Sequence, residues 1–349
     1  MTFLFCVFLL TSPELKWEIS FEDVDVFPSW SECNDYNRIA VSDSGNVLIG
    51  DPQNIQLALF GADGKLLKKL SQKGEGPGEF SRIGNAAWIS EKKVFYVKKV
   101  DEARISVWSE EGEYIDEIPY DLPDFGSVSR SEKIHFHDAG NILFLNDIVG
   151  NKGSTPEVIG GNISTGEHKA LYRLAALEQD SGFHDMSQDT HWVTLWDPNF
   201  RVGFGKKFFV SNYSNRNVFN VCDIVTGKVI NTFQLKVPAV PLSSESRENV
   251  VESMSKYGPR LLNFARKNTS KPDFWPYFNK ILVDDEDQIW VSECRDKATD
   301  TTRVHVLDST GKEVATHKVD GVIVSIKNKK LYVLSQDADE NIFLKCFTL

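Results

Sequence analysis

The sequence is poor in sulfur, with five Cys and three Met in 349 residues. No C-x-x-C pair occurs and the spacings fit no zinc-ligand pattern, so a zinc module and a thiol-exchange motif are both excluded. Cys222 and Cys346 sit in apolar, strand-like runs where a free thiol packs as a small hydrophobe. With Cys6 set apart, Cys33, Cys222, Cys294 and Cys346 would allow three pairings in an oxidising compartment. Buried free thiols are the simpler expectation. Positive charge is also short: 39 Lys and Arg against 50 Asp and Glu leave a net charge of −11. That balance argues against nucleic acid or anionic lipid as the main partner. The signatures H-E-x-x-H and G-x-S-x-G are missing, as are the kinase and dinucleotide fingerprints.

Long hydrophobic runs are scarce as well. The apolar run Thr2–Leu10 is too short to span a bilayer, and no transmembrane helix is expected. Its length suits the h-region of a signal peptide, although no Lys or Arg precedes Lys16. We therefore expect residues 1–13 to be the remnant of a leader whose start lies upstream. The protein would then work outside the cytoplasm. Leu4 and Phe5 before Cys6 are not the small residues that a lipoprotein anchor uses.

Aromatic residues are plentiful, with 23 Phe, 8 Trp and 9 Tyr, which favours sheets over helix bundles. Short apolar runs alternate with turn signals in a repeat. One unit reads Arg38 to Asp51, then Ile55–Phe60, then Asp63–Leu70, giving four strands joined by Gly-containing turns. The later turn recurs at Gly64, Gly112, Gly166, Gly227 and Gly311, each followed by Lys or Glu. The earlier turn recurs near Gly45, Lys92, Gly140, Gly205, Asp287 and Asn328. After it come Val47–Ile49, Val94–Val97, Ile142–Leu145, Phe208–Val210, Ile289–Val291 and Leu331–Val333. Six early turns against five late ones leave the last unit one strand short. The stretch Lys16–Glu22 can supply that strand outside Ile342–Phe347, closing a ring and removing its exposed edges. The expectation is an all-β chain: a six-bladed β-propeller of four-stranded antiparallel blades over residues 16–349. A solenoid would instead want capping repeats.

The stretch Asp43–Asp51 followed by Gly61–Lys65 resembles an NHL-type, TolB-like repeat. Gly74-Glu75-Gly76-Pro77-Gly78-Glu79-Phe80 is similar to the G-x-G-P-G-E-F signature of bacterial six-bladed β-propeller proteins. Phe274-Trp275-Pro276-Tyr277-Phe278 before Asp284–Asp287 and Ile289-Trp290-Val291 resembles a second feature of that family. The resemblance implies an exported bacterial propeller and no particular activity. From the residues themselves, the glycine-rich stretch lacks the Lys-Ser/Thr ending of a phosphate loop and carries two carboxylates. It reads as a rigid crossover, with Phe80 wedged between blades and Glu79 accepting backbone or Arg hydrogen bonds.

In a propeller blade, strands A to D run outward from the axis. The A–B and C–D hairpins then share one face, and the B–C and D–A loops share the other. The hairpins here are tight. The D–A connections are long, above all the insertion 238–279, where Ser243 begins a capped helix and Leu261–Arg266 adds another turn or two. Long loops on a rigid scaffold commonly carry binding. The candidate ligand or partner residues on that face are Asp51, Asn54, Asn146, Asp147, Asn212, Tyr213, Arg216, Glu293 and Arg295. Tyr257, Arg260, Trp275 and Tyr277 join them from the insertion. Such a lining suits a protein, peptide or carbohydrate. No cofactor is expected, and a monomer is. His184, Asp185, Asp189 and His191 share one loop without a recognised metal spacing, and His135 and His137 alternate on an inner strand of blade 3. The reading is a non-catalytic binding scaffold. The alternative is a metal-dependent lyase or lactonase with its site at the channel mouth.

Overall fold

A computed structural model of the chain describes residues 13–26, 38–100, 102–119, 134–138, 140–146, 157–163, 165–173, 200–213, 215–255, 259, 262–263, 266, 274–294, 301–339 and 341–349. Blade 1 comprises β2 (Ile39–Val41), β3 (Val47–Asp51), β4 (Gln56–Phe60) and β5 (Leu66–Lys69). Blade 2 comprises β6 (Ile83–Ile89), β7 (Val94–Lys99), β8 (Arg104–Ser109) and β9 (Tyr114–Pro119). Blade 3 is β10 (Ile134–Phe136), β11 (Asn141–Asn146), β12 (Glu157–Asn162) and β13 (His168–Arg173). Blade 4 is β14 (Phe200–Phe204), β15 (Phe208–Tyr213), β16 (Val218–Asp223) and β17 (Val229–Gln234). Helix α2 (Ser244–Ser255) follows it, and then blade 5: β18 (Phe278–Val283), β19 (Ile289–Glu293), β20 (Thr302–Leu307) and β21 (Glu313–Val319). Blade 6 holds β22 (Val322–Lys327), β23 (Lys330–Gln336) and β24 (Ile342–Thr348), with β1 (Glu14–Ser20) as its outermost strand.

Each apolar run expected after an early turn is a B strand. Strands β3, β7 and β15 are buried along their whole length because both of their faces meet a neighbouring blade. Alternation then sorts their side chains. In β3, Val47 and Ile49 join the cluster shared with blade 6, while Leu48 joins the one shared with blade 2. Six such apolar clusters lie between neighbouring blades, one for each interface of a closed ring.

Closure follows the expected plan with a shifted boundary. The closing strand pairs antiparallel with β24, from Glu14↔Thr348 to Ser20↔Phe343. It therefore starts before Lys16 and stops before Glu22. Phe21–Val24 forms a helical turn, α1, instead of continuing the strand, because Phe21 and Val26 turn inward into the cluster between blades 6 and 1. Asp25 ends that turn at φ 51°, and its carbonyl accepts hydrogen bonds from Gln56 Nε2 (3.1 Å) and Lys69 Nζ (3.0 Å). These contacts latch the N-terminal segment onto blade 1.

The late-turn glycines all take positive φ, between 69° and 84°. Gly64 shows why no other residue fits: a Cβ there would lie 2.8 Å from the Trp17 ring of the closing strand. The early turns are less uniform than the repeat suggests. Positive φ falls on Gly45, Lys93, Asp287 and Asn328, but not on Gly140 or Gly205. Around Gly140, the Asp138 carboxylate accepts the N–H groups of Gly140 and Asn141, both at 2.8 Å.

Candidate functional site

The two ends of the ring are built differently. At the hairpin end, turn carboxylates are consumed locally. Asp308 Oδ1 accepts from the N–H groups of Thr310 and Lys312, Asp223 Oδ1 from Thr226, and Asp63 Oδ1 from Lys65. The Thr310 and Thr226 hydroxyls also donate to Asp308 and Asp223, each at 2.6 Å. These hydroxyl bonds first, with the N–H bonds behind them, hold those two carboxyls below the ordinary range, while the Lys65 N–H does so for Asp63. The A–B turns also clasp one another round the axis. Lys207 Nζ lies 3.2 Å from Asp287, Asn328 N donates to Asp285 Oδ2 at 3.2 Å, and Lys327 Nζ meets Asp43 at 2.8 Å. Ser90 Oγ donates to the same Asp43 carboxylate at 2.9 Å, which extends the clasp from blade 4 through to blade 2.

The opposite end carries the candidate residues. Asp51, fully buried at the top of β3, spends its oxygens on its own loop. Oδ1 accepts from Gln53 N (2.9 Å) and Asn54 N (3.0 Å), and Oδ2 from Asn54 Nδ2 and Gln56 Nε2, both at 3.0 Å. Asn212 is likewise buried and inward-looking, donating to Arg216 O at 2.9 Å and accepting from Tyr213 N at 2.8 Å. Both residues shape loops and leave little for a ligand. Arg216 is exposed, with its guanidinium 5.7 Å from the Tyr213 ring centre. Glu293 Oε1 lies 2.7 Å from His305 Nε2, a buried partner that sequence reasoning missed. The two sit on adjacent strands twelve positions apart, and no local pattern links them. Asn146 ends β11, while Asp147, Arg295, Tyr257 and Arg260 lie outside the described residues, as do His184, Asp185, Asp189 and His191.

The insertion has a small core of its own. Ser243 Oγ caps α2 by accepting from Ser246 N at 3.1 Å, at the helix start the sequence marks. Its two ends are pinned: Trp275 N donates to Val240 O at 2.8 Å, Pro241 bridges Phe274, and Trp275 packs on Leu242. Tyr277 packs against the cluster between blades 4 and 5, whereas Phe274 is 49% exposed. Of Leu261–Arg266, only Leu262, Asn263 and Arg266 are described, and all three are helical.

The glycine-rich crossover between blades 1 and 2 is tied down. Glu79 Oε2 accepts from Gly76 N at 2.9 Å and Oε1 from Gln72 Nε2 at 2.8 Å, holding its carboxyl low. A side chain at Gly74 would collide with that carboxylate, and Gly78 takes φ 74°. The fixed φ of Pro77 suits the tight turn between Gly76 and Gly78. Phe80 is fully buried among residues of both blades. Beside it lies a network the sequence hinted at only through two lysines ending an apolar strand. Lys99 Nζ sits 2.8 Å from Glu102 and 3.0 Å from Glu117, and Arg104 reaches Glu117 at 3.2 Å. Burial alone would push the Lys99 ammonium down, but the two carboxylates outweigh it and hold it above its ordinary value.

His135 lies on the inner strand of blade 3. It stacks on Phe204 between blades 3 and 4, centroids 4.7 Å apart, and burial with the neighbouring His137 pushes its imidazole down to about 3. Burial pushes the Cys294 thiol up to about 12, so it is a weak nucleophile at neutral pH. Cys222, Cys294 and Cys346 are free thiols. Among the described residues, no group of three or more His, Cys, Asp or Glu is placed to hold a metal ion.

Residues 31–141 match the model of a family described as 6-bladed beta-propeller. Among solved structures, the fold is similar to a member of the duf4221 family from Bacteroides vulgatus. The two share 13% identity over 97% of this chain and 98% of that one, with a TM-score of 0.53. An exported-protein candidate from Bacteroides fragilis shows 12% identity, coverage of 99% and 97%, and a TM-score of 0.49. A gluconolactonase from Xanthomonas campestris shows 10% identity, coverage of 96% and 88%, and a TM-score of 0.46. No curated protein matches the sequence. Identities this low speak to fold alone. With its six four-stranded blades, the chain is a six-bladed β-propeller.

Proposed function

We propose that this protein is a non-catalytic propeller scaffold, exported from a bacterial cell, that binds a protein, peptide or carbohydrate on its long-loop face. The pinned insertion supports this reading best. A connection that only bridged two blades would need no core of its own. Here Leu242 and Trp275 form one, and Phe274 beside it stays half exposed. Arg216, braced over Tyr213, adds a cation on the same face. Aromatic and Arg anchors of this kind dominate recognition surfaces. The apolar leader supports export.

The test is to screen the intact protein against glycan and peptide arrays. Binding should be lost in the triple variant R216A/R295A/W275A and kept in Val225→Ser at the opposite end. Equal binding by the triple variant would remove this face from consideration. A purified protein that carries a stoichiometric divalent ion and opens a lactone or cleaves a glycan would favour the lyase or lactonase reading.

A further inference from the structure

Charge alternates round the axis at the hairpin end. Lys92, Lys207 and Lys327 stand at the A–B turns of blades 2, 4 and 6, and Asp43, Asp138 and Asp285 in those of blades 1, 3 and 5. An even number of blades lets the alternation close without like charges meeting. Among the described residues, the alternation is used at four of the six seams. Lys207 pairs with Asp287, Lys329 lies 3.8 Å from Glu286, and Asn328 N donates to Asp285. Lys327 meets Asp43, and Asn328 Nδ2 donates to Asp43 O at 2.8 Å. Ser90 Oγ completes the run on blade 2.

Blade 3 stands outside this clasp. Its own turn takes both Asp138 oxygens, Oδ1 through Gly140 N and Asn141 N and Oδ2 through Asn141 Nδ2, each at 2.8 Å. Lys92 Nζ donates to Tyr96 Oη of its own blade at 3.3 Å. Among the described residues, no hydrogen bond or ion pair joins the A–B turn of blade 3 to that of blade 2 or blade 4. The two unclasped seams are filled differently. Between blades 2 and 3 the packing is aliphatic and aromatic, with Tyr96 edge-on to Phe136 at 5.7 Å. Between blades 3 and 4 polar groups are threaded through it. His135 stacks on Phe204, Asn220 Nδ2 donates to Tyr172 Oη at 2.9 Å, and Cys222 is fully buried. Water replaces such contacts at less cost than it replaces apolar ones.

We propose that this ring opens locally at the seam between blades 3 and 4, while the clasp holds the other blades shut, including the junction of the two chain ends in blade 6. Chain ends are where a closed ring would otherwise part first. Exposed ion pairs are weak one by one, and a linked run gains by sharing its charges. This motion goes beyond the binding reading, and neither depends on the other.

Two thiols report on the seams. Cys222 lies in the cluster between blades 3 and 4 and Cys346 in the one between blades 6 and 1, each on the third strand of its blade and fully buried. Burial raises both thiols, so each reacts only when its seam admits solvent. The full chain is treated with excess iodoacetamide under native conditions, and alkylation is followed at each cysteine by mass spectrometry of the digest. Cys222 should react at least about tenfold faster than Cys346, while the amide protons of β16 stay protected. Raising sodium chloride to about 1 M screens the clasp and should narrow that ratio by speeding Cys346. K327M/D43N, which removes the pair across the seam between blades 6 and 1, should do the same without salt and leave Cys222 within about twofold. If the double variant folds poorly, the salt series on the wild type still decides. Equal rates at the two thiols, or a faster Cys346, overturn the proposal. So does exchange of the β16 amides in step with alkylation of Cys222, because blade 4 would then be unravelling and not parting from blade 3. A ratio that neither salt nor the double variant narrows overturns it too, since the clasp would not be what holds the other seams.

Discussion

The hairpin end and the long-loop end terminate the same strands, yet they obey different constraints. A hairpin must reverse the chain within a few residues, which needs positive φ and a nearby acceptor for the turn's N–H groups. Glycine and aspartate supply both, and they recur in register. A B–C or D–A connection needs only to span a gap, so its length and composition are free to drift. The end that repeats is therefore mostly scaffold, and the end that varies is where individuality accumulates. The acidity of the chain follows the same division. Asp63, Asp138, Asp223 and Asp308 are turn caps whose oxygens are already engaged.

The sharpest way to break this comparison is to put a β-branched residue into a late turn. Gly64→Val combines φ 81° with a collision into the Trp17 ring. It should cost about 3 kcal/mol or more in denaturant unfolding. Gly140→Ala, where φ is not positive and the nearest atom to an added Cβ is 3.8 Å away, should cost less than about 0.5 kcal/mol. Equal losses at the two sites would mean that glycine acts through the unfolded chain and not through the turn. Next in size is Trp17→Ala on the closing strand. Its indole donates to Ala62 O at 2.9 Å and packs on Tyr332 with centroids 6.0 Å apart. The ring is half-buried, so a loss of about 2–3 kcal/mol is expected.

Those two sites also mark how far the sequence could be read. The late-turn glycines, the B-strand runs and the closing strand were legible because each is local: a turn, an alternation, a missing fourth strand. Boundaries were less so. Phe21 looked like strand because nothing nearby shows that it turns inward toward blade 6. The candidate site was read by placement, which puts residues in loops at one end of the ring but says nothing of the state of each side chain. Asp51 and Asn212 sit where a ligand would want them, and their polar atoms are taken by their own loops. The pairing of Glu293 with His305 and the stacking of His135 on Phe204 are contacts between strands or blades. Such pairs depend on three-dimensional register, and a single sequence holds no trace of it.

Acidity gives a third test, because two classes of group respond in separate windows. His135 has its folded value depressed to about 3, whereas the unfolded imidazole takes up its proton near 6.5. The unfolded state therefore binds more protons between those values. Stability should fall with decreasing pH there, by at most about 1.4 kcal/mol per unit. His135→Phe, which keeps a ring against Phe204, should flatten that slope. The turn carboxylates of Asp63, Asp223 and Asp308 are also depressed, from a starting value of 3.8. Their contribution is present above that value and is lost as pH falls through the lower folded values, so replacing them with Asn should act only in the more acidic window. Unfolding followed from pH 7 down to about pH 2 separates the two, and a His135→Phe profile parallel to the wild type would contradict the assignment.

The smallest effect expected carries the most information about the long-loop end. Arg216 is exposed and rests on Tyr213, so Arg216→Ala should shift the unfolding midpoint hardly at all, within about 0.5 kcal/mol. Asn212→Ala, by contrast, removes a buried carboxamide that bonds both Arg216 O and Tyr213 N, and should cost about 1–3 kcal/mol. The two residues lie in one loop and were candidates on the same grounds, yet one should hold the loop in shape while the other is free for a partner. If Arg216→Ala proves as destabilising as Asn212→Ala, the guanidinium is part of the loop's framework. The recognition surface would then have to be sought on the insertion, at Phe274 and Trp275, away from the B–C loops.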